Sequence, residues 1–339
     1  MHLMYFGTFI KKVRSAFSAN KIIVLMYHRV VNKIGDPWHL AVSPANFDLH
    51  LAMLKKNFTI ISVNELILQI HEKRIKKNCI CLTFDDAYTD NFLYAQPLLE
   101  KYNCPATFFV PTNYINSKKP FWWDVLEELI LHSPNLPLFL SLSIKGKLYT
   151  FNLKKQTLNK EEFTAQSSWT YKDKPPTERC ILFLEVCSLF RPFSDSEVDF
   201  YLQQLKEWAG FQNKQVCDTA MSFVQLTQLS NNPLFSLGVH TCTHLDLNCH
   251  TNSEQQLQII DCAKHLKFQY KNFVNAIAYP FGSYNKSTLA IVNQQGISVG
   301  FTTNSGFVNK HSKSHELDRF EVCDISGEKL LSQLRAILQ

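Results

Sequence analysis

The 339-residue chain is long enough to bury a large core, as one barrel-like domain with an insertion or as two modest domains. Its net charge of +6 is carried by scattered lysines and arginines, which excludes a typical nucleic-acid binder but tolerates an anionic glycolipid or membrane surface. Ten cysteines without a single C-x-x-C pair argue against a disulfide framework and point to buried free thiols in a reducing compartment.

At the N-terminus a short apolar patch, residues 3–10, precedes Lys11, Lys12 and Arg14. That order is wrong for a secretory signal, and no run of about eighteen apolar residues spans a bilayer. Met4, Phe6, Phe9, Ile10, Val13 and Phe17 make one side of an amphipathic helix over residues 1–20, which would pack on the rest of the fold or rest on a membrane. Ile22–Tyr27 reads as the first strand. A helix starts at Ser43 with Pro44 in its first turn, and another at Ser62, where Glu65 completes a capping box. Cys79–Phe84 is a buried apolar run, read as a strand.

Between residues 112 and 230 the alternation of strand and helix signals breaks, over a length too great for a loop. Residues 138–143 and 148–153 flank Lys145-Gly146 as a hairpin, and 194–208 is a capped amphipathic helix. The stretch reads as a small α+β subdomain inserted beside the site mouth. Phe121-Trp122-Trp123-Asp124 opens it, with aromatics that stack on a sugar ring or anchor the insertion, anchoring being the commoner role. Strand 234–239 follows, then a helix opened by Ser253 and Gln256 with Leu257, Ile260 and Ala263 inward. Strand 277–279, helix 285–295 ending at Gly296, strand 299–302 and helix 328–338, with Leu330, Leu331, Leu334 and Ile337 on one side, complete an alternation typical of a parallel barrel.

The chemistry concentrates at two strand ends. Asp85-Asp86 follows the run at 79–84, and His240-x-x-x-His244 follows the run at 234–239. In α/β folds catalytic groups collect where parallel strands run out into loops. One carboxylate and two imidazoles fill three positions of a tetrahedral divalent ion and leave the fourth for water, the layout of a hydrolytic site, with the remaining aspartate free for acid-base work.

Three motifs in this order resemble the polysaccharide deacetylases that carry the NodB homology domain. Thr83-Phe84-Asp85-Asp86-Ala87 resembles T-F-D-D-G, His240-Thr241-Cys242-Thr243-His244 resembles H-[ST]-x-x-H, and Tyr279-Pro280-Phe281-Gly282 resembles x-P-[YF]-G. Leu25-Met26-Tyr27-His28-Arg29-Val30, Pro105-Ala106-Thr107-Phe108-Phe109-Val110 and Asp318-Arg319-Phe320 also fit, so the resemblance covers roughly residues 20 to 325 with a weak middle. It implies a distorted (β/α) barrel, divided as 21–111 and 231–339 around the insertion at 112–230. It implies that Asp86, His240 and His244 hold a divalent metal, with zinc the first choice among zinc, cobalt, nickel and manganese, and that Asp85 is the general base. Tyr279, Pro280 and Phe281 would contact substrate, and a backbone N–H near their turn would stabilise an oxyanion.

The sequence departs from the family pattern at Ala87, which stands where the family has glycine, and at Ala278, where it often has an arginine that orients the catalytic aspartate. Arg319 is the residue expected to supply the cation instead. The family's late L-x-x-H motif, source of the acid, is missing, and His28, at the end of the first strand, is the active-site imidazole expected in addition to the ligands. His311 and His315 read as surface residues, and Cys242 is set aside as a ligand. The implied activity is hydrolysis of the N-acetyl group of an amino sugar in a polysaccharide or lipid-linked glycan precursor. Alternatives are a deformylase or O-deacetylase of a glycolipid, or a catalytically idle protein that keeps its metal and binds glycan. A cytoplasmic location, peripheral to the inner face of the membrane, is expected.

Overall fold

A computed structural model describes residues 20–211 and 219–338, so the helix expected at 1–20 lies, apart from Asn20, outside the described residues. Seven parallel strands form one curled sheet in the order Val299–Phe301, Phe273–Ala278, Phe235–Val239, Ala106–Val110, Cys79–Phe84, Ile22–Tyr27, Phe320–Glu321, and an eighth, Thr59–Ile61, pairs with the first half of Cys79–Phe84. The result is a half-barrel of the expected kind. The central strands are buried at every position because both faces are covered, which is why they read as continuous apolar runs and not as alternating ones.

Alternate residues sort onto two cores. Leu25, Leu82, Phe108 and Leu237 meet the outer helices Pro44–Asn57, Asn252–Gln269 and Gly327–Leu338, while Val24, Cys81, Phe109, Ala276 and Phe301 line the other face. Since all eight strands are parallel, their C-terminal ends share one edge. His28, Asp85, His240 and Tyr279 each follow directly on a strand and so begin at that edge.

Most expected elements occur, with local shifts. Ser62 caps its helix through Glu65 N–H, but the Glu65 carboxylate turns outward to Gln69 and Lys76, so no capping box closes there. The helix placed at Ser253 starts two residues earlier, on a capping box of Thr251 and Glu254. Its inward residues are therefore Gln255, Ile259, Cys262 and Leu266, and Leu257 is 61% exposed. In the last helix Leu330 and Leu334 are buried, whereas Ile337 faces outward. The hairpin is present as Phe139–Ile144 and Lys147–Asn152, turning at Lys145 and Gly146 with φ of 49° and 78°, the mirror-image turn that matches strand twist.

The interrupted middle of the chain builds a core of its own from Tyr114, Phe121, Trp122, Leu129, Leu140, Phe183, Phe190 and Leu205, joined by Tyr88 from the barrel edge. Leu226 and Leu229 of the helix Phe223–Asn231 pack instead in the barrel's outer core. We therefore propose that the insertion runs from residue 112 to about residue 221, with the barrel segments on either side. All nine cysteines among the described residues are free, and seven of them are buried.

Part of the backbone strain lies just beyond the strand ends. Asp86, Ala87, Thr241, His244 and Phe281 all have positive φ, between 51° and 69°. For a residue with a Cβ this conformation costs on the order of 1 kcal/mol, and such residues persist where surrounding structure fixes them. Ala87, at 51°, shows why glycine suits that place in the related motif. Ala87→Gly is expected to raise unfolding stability by up to about 1 kcal/mol in urea titration, the small void left by its buried methyl reducing the gain. A loss above that size would show that the methyl contributes more packing than strain.

Candidate active site and metal centre

Asp85 and Asp86 are adjacent but serve opposite directions. Asp85 continues the parity of Cys79, Cys81 and Thr83 and points to the inner face, where Arg319 lies fully buried beside the rings of Phe109 and Phe301. Arg319 Nη1 donates to Asp85 Oδ1 at 2.8 Å and Nη2 to Oδ2 at 2.6 Å, while its remaining donors reach Thr302 O and Thr83 Oγ1. This bidentate pair spans 234 residues of chain. Burial alone would favour the neutral acid, but the guanidinium outweighs it and holds the Asp85 carboxyl below its ordinary range.

Positive φ at Asp86 turns its side chain away from Arg319 and toward the histidines. Asp86 Oδ1 stands 3.3 Å from His240 Nε2 and 3.2 Å from His244 Nε2. Potential ligand atoms of these three residues all lie within 4.8 Å of one another, and the residues are 2%, 1% and 7% exposed. Asp86 Oδ1 and His240 Nε2 nonetheless have no hydrogen-bond partner, so close approach here is not hydrogen bonding. Buried polar atoms without partners are costly, and a divalent cation held by the three residues would satisfy both. The donor set of two imidazoles and a carboxylate suits such an ion. Asp86 is held well below the usual carboxylate range, burial being overcome by the two imidazoles, and burial pushes His244 below its usual value despite Asp86. These two shifts favour the protonation states a metal requires of its ligands, whereas at His240 burial is outweighed by the neighbouring carboxylates, which push the imidazole up.

The rest of the edge completes the site. His240 Nδ1 donates to Ala278 O at 2.8 Å, which fixes its tautomer with Nε2 toward Asp86. Ala278 thus serves through its backbone, while the guanidinium expected at its place comes from Arg319. His28 Nε2 lies 4.0 Å from Asp85 Oδ2, so the expected imidazole is at the site. Phe281 packs on His244 with ring centroids 4.5 Å apart, and Trp123 of the insertion packs on it from 4.7 Å.

Tyr279 requires correction as a substrate contact. Its ring is fully buried, stacked on Tyr284, and its hydroxyl donates to His315 O, so its side chain is core. Pro280 is buried as well, which leaves Phe281 as the ring at the site. His315 is half-buried, with Nε2 near Ile297 O, and is not a loose surface group, whereas His311 is exposed. Cys242 Sγ donates to Gln258 O and lies outside the cluster.

Arg191, Asp246 and Tyr88, three neighbours of the site, carried no signal of their own in the sequence. Arg191, at the end of the helix Glu178–Phe190, lies over Phe281 and pairs with buried Asp246, which also accepts from Ser283. Tyr88 joins Trp123 to Asp124 by hydrogen bonds of 2.8 and 2.7 Å. Only topology brings these residues to the strand ends.

Removing the guanidinium while keeping bulk, as in Arg319→Met, leaves Asp85 as an uncompensated buried charge. The expected cost is roughly 3–5 kcal/mol of unfolding free energy. Chemical denaturation at neutral pH checks this, and a loss below 1 kcal/mol would mean that the pair contributes little.

Residues 72–132 and 209–300 match the family model described as polysaccharide deacetylase. A Bacillus subtilis (strain 168) protein named "Putative polysaccharide deacetylase YxkH" is 21% identical over 304 residues, covering 89% of this chain and 71% of that one. Among solved structures, the Streptococcus pyogenes deacetylase PplD in complex with acetate is 21% identical with a TM-score of 0.53, covering 93% of this chain and 98% of its own. IcaB from Ammonifex degensii is 16% identical with a TM-score of 0.57, covering 95% and 98%. These structures share the fold. With the matched motifs at the strand ends, the chain belongs to the polysaccharide deacetylase family, hydrolases acting on carbon–nitrogen amide bonds.

Proposed function

We propose that this protein hydrolyses the N-acetyl group of an amino sugar in a glycan or its lipid-linked precursor. The observation that carries the reading is the convergence of Asp86, His240 and His244 beside a second carboxylate, Asp85, kept ionised by Arg319. The buried, free cysteines favour a cytoplasmic precursor as substrate, met at the inner face of the membrane. Among the described residues no helix is long and apolar enough to cross a membrane.

Asp86, His240 and His244 would hold the cation. When bound, a divalent ion supplies Lewis acidity, lowering the pKa of water from about 16 toward about 7 and polarising a carbonyl. Each Asp85 oxygen accepts one hydrogen bond from Arg319 and keeps acceptor capacity for the proton of the attacking water. As the water oxygen bonds to the carbonyl carbon, that proton passes to Asp85. The turn after Tyr279 uses the amides of Gly282 and Ser283 internally, and we assign the Phe281 N–H as donor to the oxyanion. When the carbon–nitrogen bond breaks, the leaving nitrogen must gain a proton, and His28 is the imidazole outside the ligand set near enough to Asp85 to serve.

Acetate release from N-acetylated oligosaccharides and lipid-linked amino sugars tests the reading, with metal content measured in every variant. Wild type should release acetate. Asp85→Asn and His28→Gln should keep metal and lose turnover, the histidine variant by about 10²–10⁴-fold. Formate or O-acetyl release would redirect the substrate, and glycan binding without any hydrolysis would identify a protein that is catalytically idle.

A further inference from the structure

The two histidines of the centre are oriented by different means. His240 is fixed through Nδ1 on Ala278 O, the usual outer hydrogen bond of a ligating imidazole. His244 Nδ1 is buried and has no partner, so no hydrogen bond sets the rotation of that ring about its own axis. Its orientation rests on packing between Phe281 and Trp123. Phe281 is fixed by the strained turn it belongs to. Trp123 has a different anchor: its Nε1 donates to Tyr88 Oη at 2.8 Å, and the Tyr88 hydroxyl donates onward to Asp124 Oδ2 at 2.7 Å.

Tyr88 is well placed to transmit this constraint. It lies two residues beyond Asp86, and its ring sits under the Arg29 guanidinium at 4.2 Å and against Phe121, which stacks in turn on Trp123. Arg29 is paired with buried Asp90, and Lys33 Nζ stands 4.0 Å from Asp124 Oδ1 and 2.7 Å from Glu127 Oε2. Trp123, Asp124, Phe121 and Arg29 around the hydroxyl are buried, and its two hydrogen bonds add a side-chain link between the Asp86 loop and the insertion to the backbone bonds that Ala87 and Thr89 make with Met221 and Thr219.

We infer that the Tyr88 hydroxyl is a positioning group of the metal centre, acting through Trp123 on the His244 ring, so that the insertion is a structural part of the centre. The inference rests on the reading of Asp86, His240 and His244 as metal ligands. Outer partners of metal ligands typically contribute 10- to 100-fold to metal affinity, and that is the size expected here.

Competition titration of zinc against a chromophoric chelator, on the full chain, provides the test. Tyr88→Phe should weaken zinc binding 10- to 100-fold. Trp123→Phe, which keeps a ring but lacks the N–H, should do the same, and adding Tyr88→Phe to it should have little further effect because the link is already cut. Asp124→Asn retains an acceptor for the Tyr88 hydroxyl and should bind zinc within about threefold of wild type. Burial already pushes Asp124 up to about 7, so a neutral side chain is a close substitute. Asp124→Leu should behave like Tyr88→Phe. Wild-type affinity in both Tyr88→Phe and Trp123→Phe overturns the inference, and so do equal, additive losses in the double variant. If Tyr88→Phe does not fold, Trp123→Phe and the Asp124 pair decide alone. A wild type that binds no zinc is a separate result, which removes the ligand assignment itself.

Discussion

The buried pair of Arg319 with Asp85 is the interaction on which the rest of the site depends. Two adjacent carboxylates at one strand end would repel each other and, buried together, would drive one of them to take up a proton. The guanidinium prevents this by occupying both oxygens of Asp85 from the inner face. A positive φ then sends Asp86 to the other side, toward the histidines. The two aspartates therefore have separate surroundings although they are neighbours in the chain. That separation allows one to be a ligand and the other a base. In the family pattern an arginine often stands at the place of Ala278, the last residue of the strand Phe273–Ala278. Here the cation comes from Arg319, immediately before the last strand, Phe320–Glu321, and the curl of the sheet brings it to the same place.

Parallel strands explain why distant segments meet. Asp85, His240 and His28 are far apart in sequence, yet each is the first residue after a strand of one sheet, and a common direction puts all three at one edge. Backbone strain is part of that arrangement. Tight reversals after Phe84 and around His244 place side chains that a relaxed loop would carry outward, and the surrounding core holds them there.

Much of this was legible in the sequence because it depends on local pattern. Buried strands give apolar runs, and Ser43, Ser194 and the Lys145-Gly146 turn carry recognisable cap and turn chemistry. Motif spacing identified Asp85, Asp86, His240 and His244, and the absence of an arginine at 278 directed attention to Arg319. Register was less legible. At the helix after the histidines the cap is Thr251, two residues before the expected Ser253, and that offset turns the expected inward residue Leu257 to the exposed face. Tyr279 was misread because a motif position does not say which way a side chain turns, and the residue follows directly on the strand Phe273–Ala278, whose alternation carries it into the core. Trp123 was visible only as one of two roles, since its contact with His244 depends on how the insertion folds back over the barrel edge. Tyr88 and Arg191 carried no motif at all, and Asp124 entered only as the end of the aromatic cluster that opens the insertion.

The central claim is that Asp86, His240 and His244 together bind one divalent cation. X-ray absorption at the zinc edge of the zinc-loaded protein measures the ligand atoms directly. The account predicts two imidazole nitrogens and only oxygen in addition, at about 2.0–2.2 Å, with imidazole scattering reduced by one ring in His240→Gln. A sulfur shell near about 2.3 Å, as Cys242 or Cys249 would give, or a spectrum unchanged by that substitution, would contradict it.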